Sequence, residues 1–419
     1  METTQQSPDT LDAHDPLKRF RQEFHIPLKK DGSPCLYFCG NSLGLQPRKA
    51  REYVDIVMDD WQHLGVEAHF DGRHPWMPYH EFLTPQMAQI VGARAEEVVV
   101  MNTLTTNLHL LMVSFYRPKP GRFKILMESD AFPSDRYALE SQIRFHGYDP
   151  AEALLLLKPR PGETLIRTED IETMLEREGQ HIALVLLGGV NYYTGQLFPI
   201  RDITAMGHRH GCTVGFDLAH AAGNIDLKLH DSGCDFAVWC TYKYLNGSPG
   251  SLGGVFVHER HGANPDLPRF AGWWGHNKET RFNMRHDFDP IKGAEGWQLS
   301  NPPILPMAAM RASLDLFEEA GMDALRRKSV ALTGYLESLL HQIPTDRIRI
   351  ITPTDPDERG CQLSIQVRNA DRRLYDQITA QGVIADWREP DVIRVAPVPL
   401  YNTFSEVQQF AEILSDMLT

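Results

Sequence analysis

The chain has 419 residues, 42% of them hydrophobic and 23% charged, which is the composition of a soluble globular protein long enough for two domains. Its formal net charge of −13 argues against a nucleic-acid-binding or anionic-membrane surface, because both require basic patches. No apolar run approaches the roughly 20 residues that span a bilayer. The net charge does not exclude a small anionic ligand, because one local cluster of cations can oppose the overall charge.

Cysteine usage and the first residues bear on the compartment. The six cysteines are scattered without C-x-x-C pairs, a pattern that indicates reduced thiols and favours neither a disulfide framework nor a metal site. The first residues, METTQQSPDTLDAHDP, are polar and acidic and lack the hydrophobic centre of a signal peptide. We therefore expect a cytoplasmic protein without a bound metal.

The chain divides into three predicted parts. Residues 1–45 are expected to form an N-terminal arm, polar and with one short amphipathic helix up to residue 34, that packs with the C-terminal domain. Residues 46–305 alternate apolar strand-length segments with helical periods, which predicts a large α/β domain with a mostly parallel sheet. Its strand candidates are 97–101, 124–128, 153–157, 182–187, 212–216, 235–240 and 253–257, and its helix candidates include 133–145, 168–178 and 200–210.

The pattern changes after SNPPILP (300–306). Two long helices, 307–320 and 322–342, are followed by strand candidates at 347–351, 362–367, 383–387 and 392–395 and by helices at 372–381 and 404–418. This predicts a smaller α+β domain over residues 306–419.

The segment VGFDLAHAAGN (214–224) contains the first candidate site. Here an apolar strand runs directly into Asp217, and ligands of open α/β sheets bind at the carboxyl ends of strands. Asp217, the small Ala219 and His220 are the parts that a pyridoxal-phosphate (PLP) ring requires: an anion for its nitrogen, a flat neighbour and a polar group near its phenolic oxygen. The alternative is that Asp217 merely caps the next helix.

The segment VWCTYKYL (238–245) contains the second candidate site. Lys243 follows a buried strand, and a buried lysine has a depressed pKa that suits it to attack an aldehyde. Alternatively, Lys243 emerges into solvent where the strand ends. An acidic strand end followed about 25 residues later by a lysine is the arrangement of the fold-type I PLP enzymes.

Collinear motifs from about residue 35 onward make the resemblance specific. The chain resembles the kynureninases in FCGNSLGLQP, MNTLTTNLHLLM, AFPSDRYALESQ, GVNYYTGQ, FDLAHAAGN, CTYKYLNGSPGSLGGVFVHERH, GWWGH, SNPPILP and IRVAPVPLYNTF. The resemblance implies a fold-type I PLP-dependent transferase fold, PLP as the cofactor, and a homodimer with shared active sites.

The resemblance also implies residue roles. Lys243 corresponds to the lysine that holds PLP as a Schiff base, Asp217 to the partner of the pyridine nitrogen, and His220 to a residue near the phenolic side. Leu104 and Thr105 correspond to phosphate contacts at a helix N-terminus, which suits an anion. The other implied cofactor residues are Phe132, stacked on the ring, with Pro133, Ser134 and Asp135 beside it, and the phosphate ligands Tyr242, Trp273 and Asn301. Gly188 stands where some relatives have a serine, and we assign it no role.

For the substrate, Arg394 corresponds to the arginine that clamps the α-carboxylate, which its planar fork suits. The implied reaction is hydrolysis of the Cβ–Cγ bond of kynurenine or 3-hydroxykynurenine to an anthranilate and L-alanine, in tryptophan catabolism and NAD biosynthesis. Lys243 is the implied base and Tyr242 a candidate proton donor. His69, Ser300 and Asn301 correspond to positions near the aromatic ring, and their polarity favours 3-hydroxykynurenine. Alternatively, His69 faces solvent and Asn301 serves only the phosphate.

Three rival functions share the fold. A cysteine desulfurase requires a reactive cysteine on a mobile loop in the last third of the chain, where only Cys361 lies, at the start of a predicted strand. The sequence around Lys243 fits a transaminase less well. A PLP-binding regulator would normally carry an added DNA-binding segment, and the sequence shows none.

Overall fold

The structure, a computed structural model, describes residues 7–418. The strands are β1 Leu36–Tyr37, β2 Val98–Met101, β3 Lys124–Glu128, β4 Leu154–Leu157, β5 Ile182–Gly188, β6 Thr213–Asp217, β7 Phe236–Cys240, β8 Gly253–Val257, β9 Ile348–Ile350, β10 Leu363–Val367, β11 Val383–Ile384, β12 Asp386–Arg388 and β13 Val392–Val395. The helices are α1 Pro8–His14, α2 Lys49–Leu64, α3 Ala68–Asp71, α4 Thr84–Val91, α5 Leu104–Phe115, α6 Pro133–Phe145, α7 Pro150–Ala153, α8 Thr168–Glu178, α9 Ile200–Arg209, α10 Leu229–Ser232, α11 Glu259–Gly262, α12 Ile304–Ala320, α13 Met322–Gln342, α14 Arg372–Ala380 and α15 Phe404–Leu418.

A central sheet organises the larger part of the chain. Its seven strands have the order β2–β8–β7–β6–β5–β3–β4, and neighbouring strands pair in parallel except for the pairings of β8 with β2 and with β7. The strand β5 is buried along nearly its whole length, as its continuous apolar sequence requires when helices cover both faces. The predicted mostly parallel sheet is confirmed.

Local signals set the ends of the elements near the site. The helix α6 begins with Pro133, whose fixed φ and missing N–H suit the first helical position. The helix α9 ends just before Gly211, which has the positive φ of 71° that favours glycine. The strand β6 extends one residue further than predicted, so Asp217 is the last residue of the strand.

A smaller sheet lies in the C-terminal part, with the antiparallel order β12–β13–β10–β9. The predicted smaller α+β C-terminal part is therefore confirmed as a fold class. The prediction of one strand over 383–387 was wrong, because the chain breaks at Ala385 into β11 and β12. The strand β11 pairs with β1, whereas β12 pairs with β13, so the two halves serve different sheets.

The described part of the N-terminal arm contacts the C-terminal part closely. The side chain of Asp12 accepts hydrogen bonds from the backbone N–H groups of Phe404 and Ser405 at 2.7 and 3.0 Å, which caps α15. Asp15 and Lys328 form a buried ion pair at 2.7 Å. Residues 1–6 of the predicted arm lie outside the described residues.

The helix α12 begins at Ile304, close to the predicted boundary at residue 306, and packs against α2 and α4. The boundaries 1–45, 46–305 and 306–419 stay predictions.

Candidate active site

A cavity of about 260 Å³ opens where the parallel strands of the central sheet end. Glu128 ends β3, Gly188 ends β5 and Asp217 ends β6, while Lys243 follows the end of β7, and all four line the cavity. Carboxyl ends of parallel strands meet at one edge of a sheet, so residues far apart in sequence converge there.

Lys243 and His220 form the central pair of the cavity. The Lys243 Nζ atom lies 2.9 Å from His220 Nε2. Burial lowers the pKa of His220 well below its usual value, and the positive charges of Lys243, Arg394 and Arg388 lower it further. The imidazole is therefore neutral at neutral pH, and Nε2 can accept a hydrogen bond from the Lys243 amino group.

Three carboxyl groups face the same cavity. Asp217 accepts a hydrogen bond of 2.7 Å from the backbone N–H of Ala219, and burial raises its pKa. Burial and the adjacent Asp217 raise the pKa of Asp135 well above its usual value. Burial raises the pKa of Glu128 to about 7, although its carboxylate accepts a hydrogen bond of 3.0 Å from the N–H of Gly188. Burial thus favours the neutral form of all three carboxyl groups, and the charge of Lys243 opposes this effect at Asp135 and Asp217.

An anion-binding end lies at the start of α5. Leu104 and Thr105 form its first turn and line the cavity, and no side chain caps the helix. The Thr105 hydroxyl lies 3.1 Å from the Ser134 hydroxyl at the start of α6. Free N–H groups and two hydroxyls at helix N-termini are suited to a phosphate group.

Aromatic rings form one wall of the cavity. Phe132 is 45% exposed at the N-cap of α6, with its ring 5.9 Å from Lys243 Nζ. Tyr192 packs edge-on against Phe132 with ring centroids 5.4 Å apart. Tyr242 lies half-buried beside Lys243, and burial raises the pKa of its phenol, so this group keeps its proton at neutral pH.

Arg394 lies on β13 and is only 1% exposed. Its Nε and Nη2 atoms donate to the Asp386 carboxylate at 3.3 and 2.6 Å, and Nη1 donates to the carbonyl of Tyr192 at 2.6 Å. The predicted carboxylate clamp therefore faces the cavity, but the Nε–Nη2 side of its fork is already bound to an internal carboxylate.

Most of the predicted site residues converge on this cavity. Leu104, Thr105, Phe132, Ser134, Asp135, Asp217, His220, Tyr242, Lys243 and Arg394 line it. Pro133 does not line the cavity but begins the helix that presents Ser134 and Asp135.

A second group of predicted residues lies elsewhere. Trp273 is 41% exposed and donates a hydrogen bond from Nε1 to the Asn301 side chain at 2.9 Å, and Ser300 lies exposed beside them. His69 lies half-buried in α3, with Nδ1 2.9 Å from the carbonyl of Val66. None of these four residues lines the cavity of the described chain.

Other lining residues had no predicted role. Glu128 ends an apolar strand just as Asp217 does, and that signal could have revealed it. Arg388 and Tyr192 stand close to predicted residues in the sequence, whereas Asn41 and Ser42 come from the distant N-terminal motif. A Cβ atom at Gly188 would lie 2.9 Å from Glu128 Oε1, so a side chain there would require the Glu128 carboxylate to shift.

These residues fit a bound PLP. A protonated pyridine nitrogen would stabilise the charged form of the buried Asp217 and Asp135 carboxyl groups, and the buried Nδ1 atom of His220 has no hydrogen-bond partner among the described atoms. The helix N-terminus would hold the phosphate, and Lys243 would hold the aldehyde carbon.

Solved structures with the same fold support this reading of the architecture. A cysteine desulfurase from Thermococcus onnurineus superposes with a TM-score of 0.77 at 17% identity, covering 96% of this chain and 98% of its own. A cystine C–S lyase superposes with a TM-score of 0.75 at 17% identity, covering 91% of this chain and 97% of its own. The fold is therefore that of the fold-type I PLP-dependent enzymes.

Sequence relatives narrow the class to one family. Residues 325–414 match the family model of the kynureninase C-terminal domain. The chain is 58% identical to a kynureninase of Koribacter versatilis, over 98% of this chain and 97% of the relative. It is 59% identical to a kynureninase of Myxococcus xanthus, over 96% and 95% of the two chains. The chain belongs to the kynureninase family.

The cysteine required by the desulfurase alternative is not available. Cys361 is fully buried just before β10, and burial raises the pKa of its thiol to about 12. A thiol in this state is a poor nucleophile. Among residues 7–418, no helix combines the length and the apolar character that crossing a membrane would require.

Proposed function

We propose that the protein hydrolyses the Cβ–Cγ bond of kynurenine or 3-hydroxykynurenine, with PLP as its cofactor, and releases an anthranilate and L-alanine. The observation that carries this is the convergence of Lys243, Asp217, His220 and Arg394 on one cavity in a chain of this family. The reaction would serve tryptophan catabolism and NAD biosynthesis in the cytoplasm.

In this proposal each side chain of the cavity has a separate role. PLP, when bound, withdraws electrons from the substrate carbon attached to the amino group. Lys243 is the base that removes the proton from this carbon, and neutral His220 holds its Nζ atom. Tyr242 retains its phenolic proton and donates it to the alanine fragment. Arg394 binds the α-carboxylate.

The direct test is an assay of the purified protein with PLP and each substrate. We expect fluorescent anthranilate and L-alanine in equal amounts. A protein that binds PLP but cleaves neither substrate would contradict the proposal, and release of a keto acid instead would indicate a transaminase.

Replacement of Arg394 by alanine is expected to weaken binding of the substrate carboxylate. Breaking one side of a buried charge pair typically costs about 2–5 kcal/mol, so KM for kynurenine and the inhibition constant of L-alanine should both rise while PLP affinity changes little. The exposed Arg373, paired with Asp371, provides a control, because Arg373→Ala removes an arginine far less buried. An unchanged KM in Arg394→Ala would show that this arginine does not bind the carboxylate.

We further propose that the protein is a homodimer in which a partner subunit completes each cavity. Trp273, Ser300 and Asn301 lie on the surface although the family resemblance assigns them to the cofactor and substrate. Large exposed hydrophobic side chains accompany them, and large apolar patches are uncommon on monomers. These side chains are Phe70, whose ring lies 6.4 Å from that of His69, Phe282, whose ring lies 5.6 Å from that of Trp273, and Phe270, Met284 and Phe288 in the same stretch of sequence as Trp273.

Complementation between subunits tests the shared site. We expect Lys243→Ala and the double variant Trp273→Ala/Asn301→Ala each to have little activity alone. Mixed subunits would form some hybrid dimers with one intact composite site, which should restore about a quarter of wild-type activity. If all these residues act within one subunit, mixing restores nothing. Sedimentation of the wild type at twice the monomer mass is the accompanying check.

The polarity around His69 supports 3-hydroxykynurenine as the preferred substrate. Because His69 Nδ1 faces the carbonyl of Val66, it donates a proton there, which leaves Nε2 as the acceptor. An acceptor nitrogen and the Asn301 amide are suited to the ring hydroxyl, and a site that hydrogen-bonds a hydroxyl disfavours the substrate that lacks it.

The ratio of kcat/KM for the two substrates measures this preference. We expect the wild type to favour 3-hydroxykynurenine and His69→Phe to lose the preference. His63 is a matched control, because its Nδ1 also faces a backbone carbonyl, that of Asp59 at 2.8 Å, but on the exposed side of α2. A wild type that prefers kynurenine, or an unaltered ratio in His69→Phe, would contradict the assignment.

A further inference from the structure

A second guanidinium group faces the cavity beside Arg394. Arg388 lies at the end of β12 and shares the carboxylate of Asp386: its Nε atom is 3.0 Å from Oδ1, and its Nη2 atom donates to Oδ2 at 3.2 Å. The Ser42 hydroxyl donates to the same carboxylate at 2.8 Å. Asp386 thus lies between two arginines and fixes the position of both.

The charges in this cluster do not balance. Burial alone would raise the pKa of Asp386, but Arg394, Ser42 and Arg388 outweigh this effect and lower it, so the carboxylate is ionised. Two guanidinium groups and one carboxylate leave one unit of positive charge beside the cavity. One monoanionic carboxylate would neutralise it.

The hydrogen bonds that Arg394 already makes also indicate that a second donor is required for a substrate carboxylate. Asp386 takes its Nε–Nη2 side and Tyr192 takes Nη1, which leaves Arg394 alone poorly placed for a new bidentate carboxylate. Arg388 donates to Asp386 through Nη2, whereas its Nε atom lies close to the same carboxylate but has no hydrogen-bond partner among the described atoms. The Arg388 side chain is about one-third exposed and lines the cavity. Its Nη1 group is the additional donor.

The two arginines lie at the end of the cavity where an α-amino acid would place its carboxylate. The guanidinium carbons of Arg388 and Arg394 lie 5.7 and 5.8 Å from the ring centroid of Tyr192. The same Tyr192 ring lies 6.4 Å from the ring of His220, which binds the Lys243 amine. Lys243 and both arginines line this one cavity, so an amino acid bound there with its amine towards Lys243 has room to direct its carboxylate towards the arginines.

We propose that Arg388 binds the substrate α-carboxylate together with Arg394, and that Asp386 positions the two guanidinium groups for this task. The inference rests on the proposed function, because it takes an α-amino acid as the substrate.

Binding of L-alanine to the PLP-loaded protein, followed by absorbance of the cofactor, tests the inference without turnover. We expect Arg388→Ala to weaken L-alanine binding about 30-fold. Ethylamine, which is alanine without its carboxylate, should bind equally to Arg388→Ala and to the wild type. Arg372→Ala, which removes an exposed arginine paired with Asp376, is the control and should bind both ligands normally.

A double variant separates direct contact from charge balance. If Arg388 only offsets the charge of Asp386, then Arg388→Ala/Asp386→Asn regains wild-type affinity for alanine, and the inference is overturned. Because Asp386 also holds Arg394, Asp386→Asn alone is the reference: if Arg388 touches the carboxylate, the double variant binds alanine more weakly than Asp386→Asn does. Unchanged alanine binding in Arg388→Ala, or an equal loss for ethylamine, also overturns it. Kynurenine cleavage by the wild type is scored separately, so failure of the proposed function is distinguishable.

Discussion

Lys243→Ala is expected to lower turnover by roughly 10³-fold or more, because a base and the covalent anchor of the cofactor are lost together. The neutral His220 loses the amino group that lies 2.9 Å away and cannot replace it as a base, since burial lowers the pKa of the imidazole. Steady-state kinetics with saturating PLP measure the loss.

Peptide mapping after borohydride reduction provides the second measurement for Lys243. The wild type should carry PLP on the peptide that contains Lys243, and Lys243→Ala should carry none. Lys228→Ala removes an exposed lysine and serves as the control, with normal turnover and labelling. Label on any other lysine of the wild type would refute the assignment.

Asp217→Asn is expected to lower turnover by roughly 10²-fold or more while PLP stays bound. The amide keeps the shape and can still accept the hydrogen bond from Ala219, but it removes the anion that would keep the ring nitrogen protonated. The absorbance spectrum reports bound PLP, and kcat reports the loss. Asp226→Asn, at an exposed carboxylate paired with Lys228, should change neither.

Asp135 determines how large the Asp217 effect becomes. The charge of Asp217 helps to raise the pKa of Asp135, so its removal lowers that pKa and favours an anion at the neighbouring position. We therefore expect Asp135→Asn/Asp217→Asn to lose more turnover than Asp217→Asn. Near-normal kcat in Asp217→Asn would disprove the role of this carboxylate.

Much of this protein could be predicted from its sequence because the relevant signals are local. Continuous apolar runs such as 182–187 are typical of strands covered on both faces, and they became the strands of the central sheet. Asp217 and Lys243 could be singled out because each places a charged group directly at or after the end of such a strand. The collinear order of the motifs indicated the family, and the family implied the cofactor.

The tertiary structure decided which residues meet. Residues 383–387 have one apolar pattern, but pairing partners far away in the chain divide it between β1 and β13. The same pairing sets Asp386 opposite Arg394, so the internal carboxylate and the second arginine appear only once the sheet has formed. Likewise, only the fold showed that Trp273 and Asn301 lie outside the cavity that the other predicted residues line. Sequence patterns report burial and local geometry, whereas the balance of charge in a cavity depends on groups that only the fold brings together.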